Sequence, residues 1–185
     1  METLYYSKFN SPVGSMIVGV SHRGLVLLEF DRGNFPPLEK GKKPQVSWHE
    51  SKEETREYVS ELEEYFSGRR REFTIPLDLR GTAFQKRCWK ALLSIPFGET
   101  RSYGDIAKMV GKPRASRAVG GANHSNNMCI VIPCHRVIAS DGTLGGYGGP
   151  GGLKLKRKLL ELEGVEVSPA GMVKRNSKKA AGHAA

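Results

Sequence analysis

A chain of 185 residues is long enough for one compact core or two small ones, and its formal net charge is +10 with a pI near 9.7. No apolar run approaches the ~18 residues that span a bilayer, the opening METLYYSKFN has no secretory pattern, and Cys88, Cys129 and Cys134 make no disulfide framework. These features exclude membrane and disulfide-scaffold classes and predict a cytoplasmic protein with a polyanionic partner; a monomer that uses no cofactor is the expectation.

The first thirty residues read as strands. TLYYSKF, SMIVGV and GLVLLEF are short, rich in Val, Leu, Ile and Tyr, and separated by turn residues, as in an antiparallel meander. A polar, Pro- and Lys-rich loop is predicted from Asp31 to Ser47. SKEETREYVSELEEYFSG then reads as a helix with Tyr58, Leu62, Tyr65 and Phe66 on one face and Gly68 as its stop. RRREFTIPLDLRG reads as an extended link. The predicted division is an N-terminal α/β domain over residues 1–80, a mainly helical domain over 81–173, and a small, polar, basic tail over 174–185 without fixed structure.

Charge follows that division. Residues 1–80 carry 12 Lys and Arg against 13 Asp and Glu; residues 81–185 carry 17 against 6, a net of +11. The whole basic excess lies in the second half, as nucleic-acid binding by that half requires.

In the second half Thr82 and Gln85 form a capping-box pattern. Phe84, Cys88, Ala91, Leu92 and Ile95 follow at helical spacing, which makes Cys88 a core residue. Pro96-Phe97-Gly98 stops that helix. Ser102 and Asp105 open SYGDIAKMVG, and a Gly-Lys-Pro turn leads to RASRAVGGANHS, which carries Arg114 and Arg117. Two short helices about a tight turn, the second basic, form a helix-turn-helix pattern.

The chemistry is carried by MCIVIPCHRVIASDGTLGGYGG. A cysteine attacks as thiolate, so it needs a base or a positive field nearby. His135 follows Cys134 directly, but neighbouring side chains on extended backbone point apart, which places a water between them. The base in turn needs an acidic partner. Glu161 and Glu163, in LKLKRKLLELEG, both qualify, and spacing does not choose between them. Gly145, Gly146, Gly148 and Gly149 permit close backbone approach to a ligand.

IPCHRV, with SYGDIA, RAVGGA and an Asn-containing loop upstream and GGYGG and ELEG downstream, resembles the O6-alkylguanine-DNA alkyltransferase family over residues 82–165; the first half resembles its ribonuclease-H-like domain more loosely. The resemblance implies a winged-helix-like second domain that repairs DNA once per molecule, transferring an alkyl group from guanine O6 to Cys134 after the base is flipped from the duplex. It implies His135 as the water-linked base, Glu163 as the carboxylate that orients it, and Asn126 as a hinge between recognition helix and active-site loop. Tyr103 would donate to guanine N3 and crowd the phosphate behind the flipped base. Arg117 would fill the vacated stack, while Arg114, Ala118, Gly121 and Arg136 would meet double-stranded DNA from the minor groove without sequence preference. The backbone at Cys134 and Val137 would read the exocyclic amine, with Tyr147, Gly148 and Gly145 completing the pocket.

Some features depart from the family pattern. Gly148 stands where many relatives have a larger or hydroxylic residue, and Cys129 where some have proline, so pocket width is open. The first eighty residues hold no cysteine and only His22 and His49, which predicts no structural zinc. A non-catalytic alkyltransferase-like protein would lack Cys134, a cysteine hydrolase would turn over, and a helix-turn-helix regulator would need a dimerising or sensing segment that the sequence does not show.

Overall fold

The computed structural model describes residues 2–33, 35, 46–148 and 151–174. Strands β1 (Glu2–Ser11), β2 (Gly14–Ser21) and β3 (Gly24–Phe30) form the meander, each antiparallel to the next. A fourth strand, β4 (Val46–Glu50), corrects the sequence reading, which ran the loop through Ser47. It pairs parallel to β1, giving the order β3-β2-β1-β4. VSWHE has no buried residue, so an edge position on β1, and not its own pattern, makes it a strand. Residues 34 and 36–45 of the predicted loop lie outside the described residues.

Helix α1 (Lys52–Phe66) is capped by Ser51, whose hydroxyl accepts from Glu54 N, and ends at Ser67 with Gly68 in left-handed conformation. Leu62 and Tyr65 are fully buried and pack α1 on the sheet. The link that follows bonds to β3 at one point, Leu25 N to Pro76 O and Asp78 N to Leu25 O.

Helix α2 (Ala83–Leu93) opens with the reciprocal Thr82–Gln85 capping box and buries Cys88, Trp89 and Leu92. Trp89 Nε1 donates to Ala122 O over 2.8 Å. Strand β5 (Arg101–Ser102) leads into α3 (Tyr103–Met109), capped by Ser102 and Asp105, and after a turn through Gly111 comes α4 (Ser116–His124). Helices α2, α3 and α4 pack on one another. A short 3-10 turn (Cys134–Arg136), strand β6 (Val137–Ile138) parallel to β5, and α5 (Gly152–Leu162) complete the order. The predicted tail, apart from Lys174, lies outside the described residues.

The main core runs through both halves. Met16, Leu25, Leu28, Leu62 and Tyr65 of the first join Trp89, Leu92, Ile106, Val119 and Met128 of the second. Elements of the sheet domain therefore share a core with Cys134.

Candidate active site and nucleic-acid face

Between α4 and the 3-10 turn the chain folds back on itself. Ile130 has φ of 73°, the only positive φ at a non-glycine among the described residues, and a β-branched side chain is disfavoured there. The turn is held on both sides: Val131 N donates to Cys129 O and Ile132 N to Met128 O, while β3 clamps the segment through Leu28 N to Asn127 O and Cys129 N to Leu28 O. This fold-back brings Cys134 beneath Asn126.

Asn126 ties the loop together. Its Nδ2 donates to Ile132 O (2.9 Å) and to Cys134 Sγ (3.2 Å), and its Oδ1 accepts from Met128 N (2.9 Å). Cys134 is buried. Burial pushes its thiol pKa up, against the pull of Asn126, Lys156 and Tyr147. The resting group is a thiol, and it needs a base.

A candidate base is adjacent. His135 Nε2 lies 2.7 Å from Glu163 Oε1, both side chains fully buried. Burial works to raise the Glu163 pKa, but the charges and donors of His135 and Arg136 outweigh it and hold the carboxyl at about 2. Burial in turn pushes the His135 pKa down. At neutral pH the pair is a carboxylate and a neutral imidazole, and a carboxylate only accepts, so the proton sits on Nε2. Nδ1 is left with a lone pair, buried and without a hydrogen-bond partner. A buried orphan of this kind is where a proton acceptor is available.

The choice between the two acidic residues is made at a helix end. Glu161 is exposed on α5 and approaches Arg157 at 3.8 Å. Glu163 is the C-cap of the helix and turns inward, where Gly98 N also donates to it over 3.2 Å. Gly98 has φ of 78°, and a Cβ there would stand 2.9 Å from Glu163 O, so the approach requires glycine.

Arg136 is a correction. Instead of facing DNA it is buried, with Nε and Nη2 on the two Glu163 oxygens (2.8 and 3.0 Å) and Nη1 on Ile95 O (2.6 Å). A guanidinium placed beside a buried carboxylate stays there, because leaving would strand that charge. The second and third residues of Cys-His-Arg thus meet on the same carboxylate.

A cavity of about 580 Å³ opens above Cys134. Tyr103, Asn123, Asn126, Cys129, Tyr147 and Gly148 are among its lining residues. Val137 and Gly145 do not line it, which corrects their place in the sequence reading. Val137 is fully buried and its carbonyl accepts from Lys156; Gly145, with φ of 66°, leaves room for the Tyr103 ring, 3.3 Å from where a Cβ would stand. The Tyr103 hydroxyl reaches Gly146 O at 3.4 Å, and burial raises its pKa. Gly149 lies outside the described residues.

Two contributions escaped the sequence reading. Leu28, Glu29, Phe30 and Arg32, at the end of β3, form one wall of the cavity, and nothing in a strand motif signals that. Lys156 is fully buried, donating to Val137 O, Leu144 O and Gly146 O, with its pKa lowered by burial to about 8. A signal existed for it: Lys156 shares the apolar face of α5 with Leu159 and Leu160, three and four residues on.

On the outer surface, α4 exposes Arg117, Ala118 and Gly121 and buries Val119 and Ala122; Arg114 is exposed in the preceding turn. Neither arginine forms an ion pair among the described residues. Among those residues, too, no helix is long and apolar enough to cross a membrane, and no group of three His, Cys, Asp or Glu could hold a metal.

The family models for 6-O-methylguanine DNA methyltransferase match in order: the ribonuclease-like domain over residues 4–79 and the DNA binding domain over 83–165. The chain belongs to this family. Similar proteins include the methylated-DNA–protein-cysteine methyltransferase of Methanosarcina acetivorans, 46% identical over 163 residues that cover 87% of this chain and 99% of that protein. The protein of that name from Mycobacterium leprae is 46% identical over 164 residues, covering 89% and 94%. Among solved structures, Mycobacterium tuberculosis O6-methylguanine methyltransferase superposes with a TM-score of 0.71 at 44% identity, covering 86% of this chain and 92% of that one. The same relative, named as OGT in complex with DNA, matches equally. As a methylated-DNA–protein-cysteine methyltransferase, the chain repairs DNA by direct transfer of an alkyl group to a cysteine of its own.

Proposed function

We propose that Cys134 is the acceptor and that the residues around it run one irreversible transfer from O6 of a flipped guanine. The observation that carries this is the His135–Glu163 pair: a neutral, buried imidazole whose Nε2 is committed to a carboxylate and whose Nδ1 is free. The thiol proton passes to Nδ1 through a bridging water, and Glu163 stabilises the imidazolium. The thiolate attacks the alkyl carbon; the S–C bond forms as the C–O6 bond breaks, and the electron pair returns to the purine. Tyr103 donates toward guanine N3 and spreads the charge on the leaving base. The product is an unactivated thioether whose thiolate is a poor leaving group toward water, so one molecule repairs one lesion.

Reaching O6 requires extrusion of the base, which costs a few kcal/mol. Arg117, on the exposed face of α4, fills the gap from the minor groove; Arg114 holds phosphate; Ala118 and Gly121 let the helix approach closely. Binding is independent of sequence and by a monomer, in the cytoplasm. A relative 44% identical was solved in complex with DNA, which supports DNA as the partner. Gly148 has open space where a Cβ would stand, and 580 Å³ falls in the range of small-ligand sites, so the pocket accepts groups larger than methyl.

Intact mass after reaction with O6-methylguanine duplex should rise by one methyl per molecule, mapped to the Cys134 peptide, and Cys134→Ser should bind DNA without transfer. Modification at Cys88 or Cys129 instead, or repeated turnover, would refute the assignment. Free O6-benzylguanine should inactivate the protein, and resistance with normal methyl transfer would show a closed pocket.

A further inference from the structure

The catalytic carboxylate receives a hydrogen bond from the other domain. The hydroxyl of Tyr65, on α1, donates to Glu163 Oε1 over 2.8 Å, the same oxygen that accepts from His135 Nε2 at 2.7 Å and Arg136 Nη2 at 3.0 Å. Tyr65 is fully buried, its ring set against Phe66, Phe73 and Phe97 at centroid distances of 5.3, 5.4 and 6.1 Å. Three phenylalanine rings thus hold the ring that aims one hydroxyl at one oxygen, from a helix that carries none of the family's reactive motifs.

We propose that Tyr65 is a positioning residue for alkyl transfer: its hydroxyl shares Glu163 Oε1 with His135 and so sets the basicity of the imidazole. The proposal rests on the His135–Glu163 relay argued above. A neutral donor on a carboxylate oxygen draws off charge that would otherwise stabilise the imidazolium. The other groups facing the pair are fixed in kind. Arg136 from the 3-10 turn bears on both partners, Lys156 from α5 bears on His135, and the backbone of Gly98 bears on Glu163. Cys129, Arg136 and Tyr147 are the other charged or titratable groups that bear on Tyr65. Removal of the tyrosine hydroxyl leaves Oε1 to His135 and Arg136, and the imidazole holds a proton more readily.

The sign of the effect follows. A base must start unprotonated, so the acid limb of the rate–pH profile marks the pH at which His135 gains a proton. Tyr65→Phe keeps the ring and should move that limb to higher pH, on the order of one unit. Site-specific 3-fluorotyrosine at position 65 is nearly isosteric with the native residue and a stronger donor, and should move the limb to lower pH. The readout is the second-order rate of inactivation of the full chain by free O6-benzylguanine, below the melting temperature of every variant.

Opposite shifts for the two substitutions support the proposal. A limb that stays at the wild-type pH in both, with only the melting temperature changed, overturns it and leaves Tyr65 a packing residue. Should Tyr65→Phe fail to fold, the fluorotyrosine arm decides alone. Glu163→Gln and His135→Ala, measured in parallel, separate the two failures: if they leave rate and limb unchanged the relay itself is wrong, and if they change them while position 65 does not, only the tyrosine's part is wrong.

Discussion

Two arginines in the basic domain, nineteen residues apart, show two opposite uses of charge. Arg117 stands exposed on α4 without an ion-pair partner among the described residues, beside small residues that leave the helix surface open. Arg136 is buried, its donors taken by Glu163 and Ile95 O. A surface guanidinium without a partner adds little to stability and is available to phosphate or a base stack. A buried one is bound to the charge it neutralises, and its removal strands that charge. Net charge counts both alike, and only burial separates them.

The largest effect that would test this contrast is Arg136→Met. Breaking a buried pair costs about 3–5 kcal/mol, so the melting temperature should fall on the order of 10 °C and transfer should be lost with it. A melting temperature within a degree or two of wild type would mean that Glu163 does not depend on the arginine. Glu163→Gln keeps the shape but removes the charge, and inactivation by free O6-benzylguanine should slow about a hundredfold, with His135→Ala at least as slow.

The same cluster predicts the acid response. The Glu163 pKa is depressed from 4.5 to about 2, so its contribution to stability is full above pH about 4.5 and is lost as pH falls toward 2. His135, also depressed, takes up a proton on unfolding below its usual 6.5, which adds acid lability in the same direction. Urea midpoints at pH 7, 5 and 3 should fall steeply for wild type and Arg117→Ala and less for Glu163→Gln; equal slopes in all three would remove the cluster as the cause.

Arg117→Ala comes next. It should leave the melting temperature unchanged and slow duplex repair at saturating protein about tenfold to a hundredfold, the ~1–3 kcal/mol of a stacking contact, while free O6-benzylguanine reacts at the wild-type rate. A normal saturated duplex rate would reduce Arg117 to a phosphate anchor. Arg114→Ala should do least: weaker duplex binding whose salt dependence drops by about one unit of slope, with no change in the saturated rate.

Local patterns were legible because their cause is local. The capping boxes at Thr82–Gln85 and Ser102–Asp105 close within four residues, and both form; Gly68 stops α1 because a left-handed residue ends a helix anywhere. The asymmetry of charge between the halves, and the motif string from SYGDIA to ELEG that marks the family, are likewise properties of the chain itself. Spacing could not choose between Glu161 and Glu163, since two residues at a helix end differ only in whether the cap turns outward or inward. Strand β4, the burial of Arg136, the wall that β3 adds to the cavity and the Tyr65–Glu163 bond all depend on which distant segments meet. Those meetings are settled by the shared core of Leu28, Leu62, Tyr65, Leu92 and Met128. Burial is a property of the assembled fold: it turns an arginine into a counterion, lowers the pKa of a histidine, and makes a hydroxyl 98 residues away part of the site.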